Sequence, residues 1–262
     1  MKIVVSMTSY PKRIVNVGKS IYALLNKQTL PPDEIYVWLS TEEFPNKEKD
    51  LPKDLVLLSE VSNKIKIKWV EKNTYVHKRH EIFKIIKDAY VFFMDDDVYY
   101  NENLIKTVVE KAKQYPNSII CYNNYNPHEY RGKHILYNNN KLGSGPFINK
   151  IRWCGQSMIP SELYPVEILS DEYQKIREKT SPISDECWFQ PFVVEHNLPI
   201  YYCNFGWGVD ISQTLGKQSG LVSWSHQLDS NGLEKRDNWL NAVLNAFPNI
   251  LKKYERLFNY GK

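Results

Sequence analysis

Three consecutive carboxylates, Asp95, Asp96 and Asp97, follow the apolar run Tyr90-Val91-Phe92-Phe93-Met94, with Tyr99-Tyr100-Asn101 close behind. Such a run reads as a strand buried on both faces and bounded by polar residues. Its carboxyl end is where open α/β sheets place ligands. Three adjacent like charges repel, and they are costly to hold at the edge of a sheet interior unless a positive charge arrives. Hard carboxylate oxygens suit Mg²⁺ or Mn²⁺, and such an ion can in turn hold a diphosphate. Along an extended chain alternate residues share a face. That periodicity pairs Asp95 with Asp97 as ligands and turns Asp96 toward the sheet or a backbone donor. A solvated acidic turn leading into a helix is the competing reading.

Other residues could join this chemistry. Lys78, in Tyr75-Val76-His77-Lys78, is placed before a helix, where a lysine and free backbone N–H groups can reach a phosphate. Arg13 offers the same charge after the first strand, and both could equally be solvated cations. Ser184-Asp185-Glu186-Cys187-Trp188 sets two adjacent carboxylates before an aromatic helix. Either could take a proton from an attacking hydroxyl, although the pattern is also that of a helix cap with acids in its first turn. Asp185 is the first choice and Glu186 the second. Gly143-Ser144-Gly145-Pro146 fits an ordinary turn or a close backbone approach to a ligand. The stretch from Leu215 to Ser223, rich in Gly and Ser, could close as a lid.

The positioning elements follow from hydrophobic periodicity. A strand is expected over Lys2–Met7, a helix over Ile14–Leu25, and strands over Glu34–Leu39 and Ile65–Val70. A helix from His80 to Ala89 then runs into the strand before the aspartates. This alternation predicts a mostly parallel central sheet of Rossmann-like α/β type with helices on both faces. Further on, a helix is expected over Leu104–Tyr115, a strand over Ser118–Tyr122, a long irregular loop over residues 123–150, helices over Ile168–Lys179 and Asp185–His196, and a strand over Ile200–Phe205. From Trp239 two terminal helices are split at Pro248. They would dock on the core, or lie at a membrane interface with Lys252, Lys253 and Arg256 outward. One domain spans 1–262, with a nucleotide-like first half (1–100), a substrate-facing second half (101–235) and a C-terminal helical segment (236–262).

Composition bounds these readings. A net charge of +4 suits an anionic substrate or an acidic surface without indicating nucleic acid. The 18 Tyr and 7 Trp supply flat faces that can stack on sugars, though most such rings simply pack. Cys121, Cys154, Cys187 and Cys203 form no C-x-x-C pair and read as reduced, buried thiols of a cytoplasmic protein. The opening apolar stretch is too short for a signal peptide, and no run approaches the ~20 apolar residues of a transmembrane helix. A soluble protein, at most peripheral at the inner face of a membrane, is expected.

An apolar strand ending in Asp-Asp-Asp behind a parallel α/β half resembles the D-x-D region of nucleotide-sugar glycosyltransferases with the A-type (GT-A) fold. Val5-Ser6-Met7-Thr8-Ser9-Tyr10-Pro11-Lys12-Arg13-Ile14 and Gln28-Thr29-Leu30-Pro31-Pro32-Asp33-Glu34-Ile35 are similar to bacterial members that build capsule or lipopolysaccharide glycans. The resemblance implies transfer from a nucleotide sugar, a UDP-sugar above all, to a glycan or lipid-linked hydroxyl, with inversion and with Mn²⁺ or Mg²⁺. It implies that Asp95 and Asp97 engage the metal, with Asp95 and Asp96 also near the donor. Thr8, Ser9 and Tyr10 would line the nucleotide pocket, with Arg13 and Lys78 on the donor. Gly155, in Trp153-Cys154-Gly155-Gln156-Ser157, would line the donor sugar, and Asp185 or Glu186 would act as base. A late histidine often completes such a metal site, and His226 is preferred over His128, His134 and His196. The alternatives are a sugar-nucleotide nucleotidyltransferase, although Ser6 to Arg13 holds no glycine, and a non-catalytic carbohydrate-binding protein with a structural metal.

Overall fold

The computed structural model describes residues 1–122, 128–131, 134–137, 145–147, 157–203, 209–210 and 232–259. The first half alternates as the periodicity predicts: β1 (Lys2–Thr8), α1 (Ile14–Asn26), β2 (Glu34–Ser40), α2 (Lys53–Val61), β3 (Ile65–Val70), a 3₁₀ segment (Tyr75–Lys84) and β4 (Ala89–Phe93). Then come β5 (Val98–Tyr99), α3 (Leu104–Gln114) and β6 (Ile119–Cys121). The second half adds β7 (His128–Arg131), β8 (His134–Tyr137), β9 (Gly145–Phe147), β10 (Ser157–Pro160), α4 (Asp171–Thr180), α5 (Asp185–Glu195), β11 (Ile200–Tyr202) and β12 (Val209–Asp210). Two helices, α6 (Gly232–Ala246) and α7 (Pro248–Asn259), close the described chain.

Eight strands form one sheet in the order β3-β2-β1-β4-β10-β6-β11-β9. β10 runs antiparallel to β4 and β6, and β9 runs antiparallel to β11, while the other pairings are parallel. The expected mostly parallel sheet flanked by helices is therefore present. From β1 the chain steps outward to β2 and β3, then returns to the other side of β1 as β4. The carboxyl ends of β1 and β4 thus form a topological switch point, where a crevice opens in sheets of this kind.

Each strand divides its side chains between two cores. Ile3, Val5 and Met7 of β1 pack with Phe92 and Met94 under α1, α2 and α3. Val4 joins Val91 and Phe93 on the opposite face, under α5, α6 and α7. There Tyr164 stacks between Phe83, at 3.8 Å between ring centroids, and Phe189, at 5.2 Å. Cys121, Cys187 and Cys203 are free and buried, and burial pushes the Cys187 and Cys203 thiols up to about 12. Cys154 lies outside the described residues.

Several expectations are corrected. The helix predicted over His80–Ala89 is instead a 3₁₀ segment that starts at Tyr75 and ends at Lys84, so Lys78 lies within it rather than before a helix. Ser6 Oγ donates to the Arg79 carbonyl at 2.7 Å, an acceptor that an α-helix would offer to the amide four residues on. Asp88 at φ 52° then turns the chain into β4, a conformation that Asp tolerates better than most residues. The predicted loop over 123–150 holds β7 and β8, which pair antiparallel, and β9, which joins the sheet edge. The helix predicted over Ile168–Lys179 is a short 3₁₀ turn, Val166–Leu169, followed by α4. The helix α2 was not anticipated.

The terminal helices dock as one of the two readings proposed. Ile250 and Tyr254 of α7 are buried in the core, and Lys253 Nζ donates to the Glu195 carbonyl at 2.6 Å. Among the described residues, no helix is long and apolar enough to cross a membrane.

Phe189→Ala is expected to lower the free energy of unfolding by about 3–5 kcal/mol, the range for emptying a buried aromatic site. Leu57→Ala, at a side chain that is exposed on α2, is expected to stay within about 0.5 kcal/mol. Urea unfolding of the two variants measures the difference.

Candidate active site

The site grows from the loops that leave β1 and β4. After β1, Thr8 Oγ1 donates to the Trp38 carbonyl at 2.8 Å and ties the strand end to β2. Ser9 is buried and Tyr10 half-buried. The Tyr10 carbonyl then accepts from the Arg13 and Ile14 amides, which starts α1. After β4, Asp95 falls past the last strand residue, and Asp96 and Asp97 form a turn. The Asp95 amide donates to the Tyr100 hydroxyl at 2.7 Å, and Ser20 of α1 donates to the Asp96 carbonyl at 2.8 Å.

Strand alternation therefore stops at Asp95. Its side chain extends toward the face of Val91 and Phe93, where Arg79 Nη1 lies 3.4 Å from Asp95 Oδ1. The turn swings both following carboxylates the other way. Arg13 Nη2 stands 2.6 Å from Asp96 Oδ1 and also pairs with Asp97 Oδ1. The expectation that Asp95 and Asp97 act as a pair is corrected: Asp96 and Asp97 share Arg13 at short range, while Asp95 contacts Arg79. Exposure separates them too, at 40% for the Asp95 side chain against 5% and 8% for Asp96 and Asp97. Burial raises the Asp96 carboxyl despite Arg13 beside it. Burial alone would lower the Arg13 guanidinium, but the facing aspartates raise it overall.

Lys78 is 1% exposed, and its ammonium donates to Glu43 Oε2 at 2.5 Å, Asn73 Oδ1 at 3.0 Å and the Ser9 carbonyl at 3.4 Å. An ammonium has three protons, and these contacts use all of them. Burial still lowers its pKa, more than Glu43 raises it. The lysine expected to reach a donor phosphate instead braces the loop after β1 against the end of β2. Arg13, expected in the same role, is committed to the two aspartates.

Asp185 opens α5 behind the Ser184 cap, whose side chain accepts from the Cys187 amide. Its Oδ2 meets Arg79 Nε at 2.7 Å, Arg79 Nη2 at 2.6 Å and His80 Nε2 at 3.1 Å. Burial would raise this carboxyl, but Arg79 and then His80 outweigh it and hold it well below the ordinary carboxylate range. Burial lowers His80, so its ring is neutral near pH 7. An ionised Asp185 can only accept, which places the His80 proton on Nε2 and leaves Nδ1 to accept from the Tyr164 hydroxyl at 2.8 Å. The first-choice base is thus ion-paired, buried and weakly basic. Glu186 is also buried, with Arg236 Nη1 3.7 Å from Oε2. Gly155 and His226 lie outside the described residues, as does the stretch from Leu215 to Ser223.

Arg79, His80 and Glu43 are the members that sequence reasoning missed. The signal was in plain view: Lys78 and Arg79 sit inside a run of four residues, His77 to His80, that can all carry positive charge. Among the described residues, Glu43, Asp95, Asp96, Asp97 and Asp185 are linked by ion pairs to Arg13, Lys78 and Arg79. The linked carboxylates outnumber the cations by two. Carboxylate oxygens suit a divalent Mg²⁺ or Mn²⁺, and Asp95, with a side chain 40% exposed, is the member that reaches solvent. No cluster of three or more ligating side chains is assembled among the described residues.

The mostly parallel sheet flanked by helices, with acids and cations gathered at its switch point, matches the GT-A architecture. The chain belongs to glycosyl transferase family 2, whose model matches residues 12–152. That membership favours sugar transfer over the nucleotidyltransferase and carbohydrate-binding alternatives. No match was found among curated proteins. Solved structures similar to this chain include S. aureus TarS 1-349, at 16% identity and a TM-score of 0.48, covering 95% of this chain and 73% of that one. TarS 1-349 in complex with UDP matches at 15% identity and a TM-score of 0.45, over 79% of this chain and 60% of that chain. The complex with UDP-GlcNAc matches at 14% identity and a TM-score of 0.48, over 84% and 62%. The chain thus spans 60% of the length of the UDP-bound TarS chain.

Asp185→Asn is expected to cost about 3–5 kcal/mol of stability at pH 7, because it leaves Arg79 buried with less compensation. Asp185 has a lowered pKa in the folded state, so its contribution is complete above the unfolded carboxylate value of about 3.9. It fades as pH falls below that value. Denaturant unfolding at pH 7 and at pH 3 should show the gap between wild type and variant shrinking in acid. A constant gap would contradict the assignment.

Proposed function

We propose that the protein transfers a sugar from a nucleotide-sugar donor, a UDP-sugar, to a hydroxyl of a glycan or lipid-linked acceptor with inversion, assisted by Mn²⁺ or Mg²⁺. The observation that carries this reading is Asp95: a solvent-reaching carboxylate at the switch point, within a cluster that holds two more linked carboxylates than cations. Asp95 would hold the metal with His226 as a further protein ligand, and Asp97, paired with Arg13, would join them on turning from that cation. When bound, the ion offsets the charge of the departing diphosphate. Arg13 and Lys78 are engaged by acidic partners, so in this reading the charge of the diphosphate falls to the metal rather than to these cations. Their work is to hold the loop after β1, so that Thr8, Ser9 and Tyr10 form the floor of the nucleotide pocket. Asp96 supports that floor through Arg13, and Gly155 lines the donor sugar.

Inversion requires a base for the acceptor hydroxyl. The two adjacent acids are the candidates: Asp185, which Arg79 neutralises at hydrogen-bond distance, and Glu186, whose Oε2 lies 3.7 Å from Arg236 Nη1. The resemblance of the first hundred residues to capsule and lipopolysaccharide transferases is the ground for a cell-surface glycan as the product. A cytoplasmic enzyme is consistent with that role, and Lys252, Arg256 and Leu257, exposed on α7, supply the face for a peripheral membrane contact.

Titration calorimetry of UDP into the protein, with and without Mn²⁺, tests the reading. Wild type should show binding that depends on the metal. Asp95→Ala should weaken it by at least roughly tenfold, since even outer partners of metal ligands cost that much. Equal affinity in the variant, or nucleotide binding indifferent to Mn²⁺, would overturn the metal site.

A further inference from the structure

Arg79 is the element that the proposed reaction does not use directly, yet it is buried at the centre of the site. It makes two short contacts to Asp185 Oδ2, at 2.6 and 2.7 Å, and one long contact to Asp95 Oδ1, at 3.4 Å. Its guanidinium carbon lies 4.9 Å from the centre of the Phe93 ring, which fixes the plane of the fork over the end of β4. Asp185 is itself held by His80, and His80 by Tyr164. A polar chain, Tyr164–His80–Asp185–Arg79–Asp95, therefore crosses a core otherwise built of aromatic rings and ends at the exposed carboxylate.

We propose that Arg79 is a built-in counter-ion that a divalent cation must displace from Asp95, so that it sets the metal affinity of the site; this rests on the metal reading given above. The asymmetry of its contacts is the argument. Two short, charge-assisted bonds to a buried acid are strong, while a 3.4 Å contact to a half-exposed one is weak and screened. Arg79 can thus release Asp95 without leaving Asp185. Until it does, its charge opposes an arriving metal. Arg79 is accordingly a positioning residue, and Asp185, through it, acts on Asp95.

Mn²⁺ binding to the intact protein, followed by the paramagnetic resonance signal of the free ion with and without UDP, distinguishes this from a purely structural role. The double variant R79Q/D185N removes the buried pair together, leaves no unpaired buried charge and keeps similar shapes. It should bind Mn²⁺ more tightly than wild type, by up to about thirtyfold, the effect of one unit charge on a divalent ion some 4 Å away in a water-like medium, less what the loss of the more distant Asp185 charge takes back. Arg79→Lys keeps the charge and should stay close to wild type. Thermal unfolding confirms that each variant is folded. A folded double variant with unchanged or weaker Mn²⁺ affinity overturns the role of Arg79 while leaving the metal site standing. Wild type that binds no Mn²⁺ in either condition overturns both.

Discussion

The structure depends on mutual compensation of charge at the switch point between β1 and β4. A buried carboxylate without a partner is far too costly to keep ionised. Here each acid that leaves the sheet meets a cation delivered by a different segment. Arg13, from the start of α1, covers Asp96 and Asp97. Arg79, from the 3₁₀ segment, covers Asp185 and touches Asp95. Lys78 faces the other way and meets Glu43. The pairs lock together the loops after β1, β2 and β4 and the start of α5.

This arrangement requires two adjacent residues of one short segment to serve different partners. A 3₁₀ turn advances about 120° per residue, so Lys78 and Arg79 diverge sharply and reach opposite sides of the crevice. Ser6 contributes from beneath by capturing the Arg79 carbonyl. A serine inside an otherwise apolar strand is thereby explained: it anchors the segment that carries the cations.

Much of the fold was legible because it follows from hydrophobic periodicity. The alternation of β1 and β4 placed two cores on two faces, and the strand–helix order gave the class of sheet. The position of the aspartate triplet was legible for the same reason, since an apolar run ending in acids marks the carboxyl end of a buried strand. What failed was local geometry. The period-two rule paired Asp95 with Asp97, yet β4 ends at Phe93 and a turn governs the next residues. Lys78 and Arg13 were read as cations awaiting a phosphate, because a linear sequence does not show that Glu43 lies against one and two aspartates against the other.

By itself, the sequence determined the order of strands and helices, the apolar faces that build both cores and the place where acids collect. These are properties of neighbours along the chain, set by side-chain period and turn chemistry. Only the tertiary structure decided which charge meets which. Arg79 and Asp185 are separated by 106 residues yet lie in hydrogen-bond contact. Coulomb energy and desolvation depend on distance and burial in space, and neither can be read until the chain has folded.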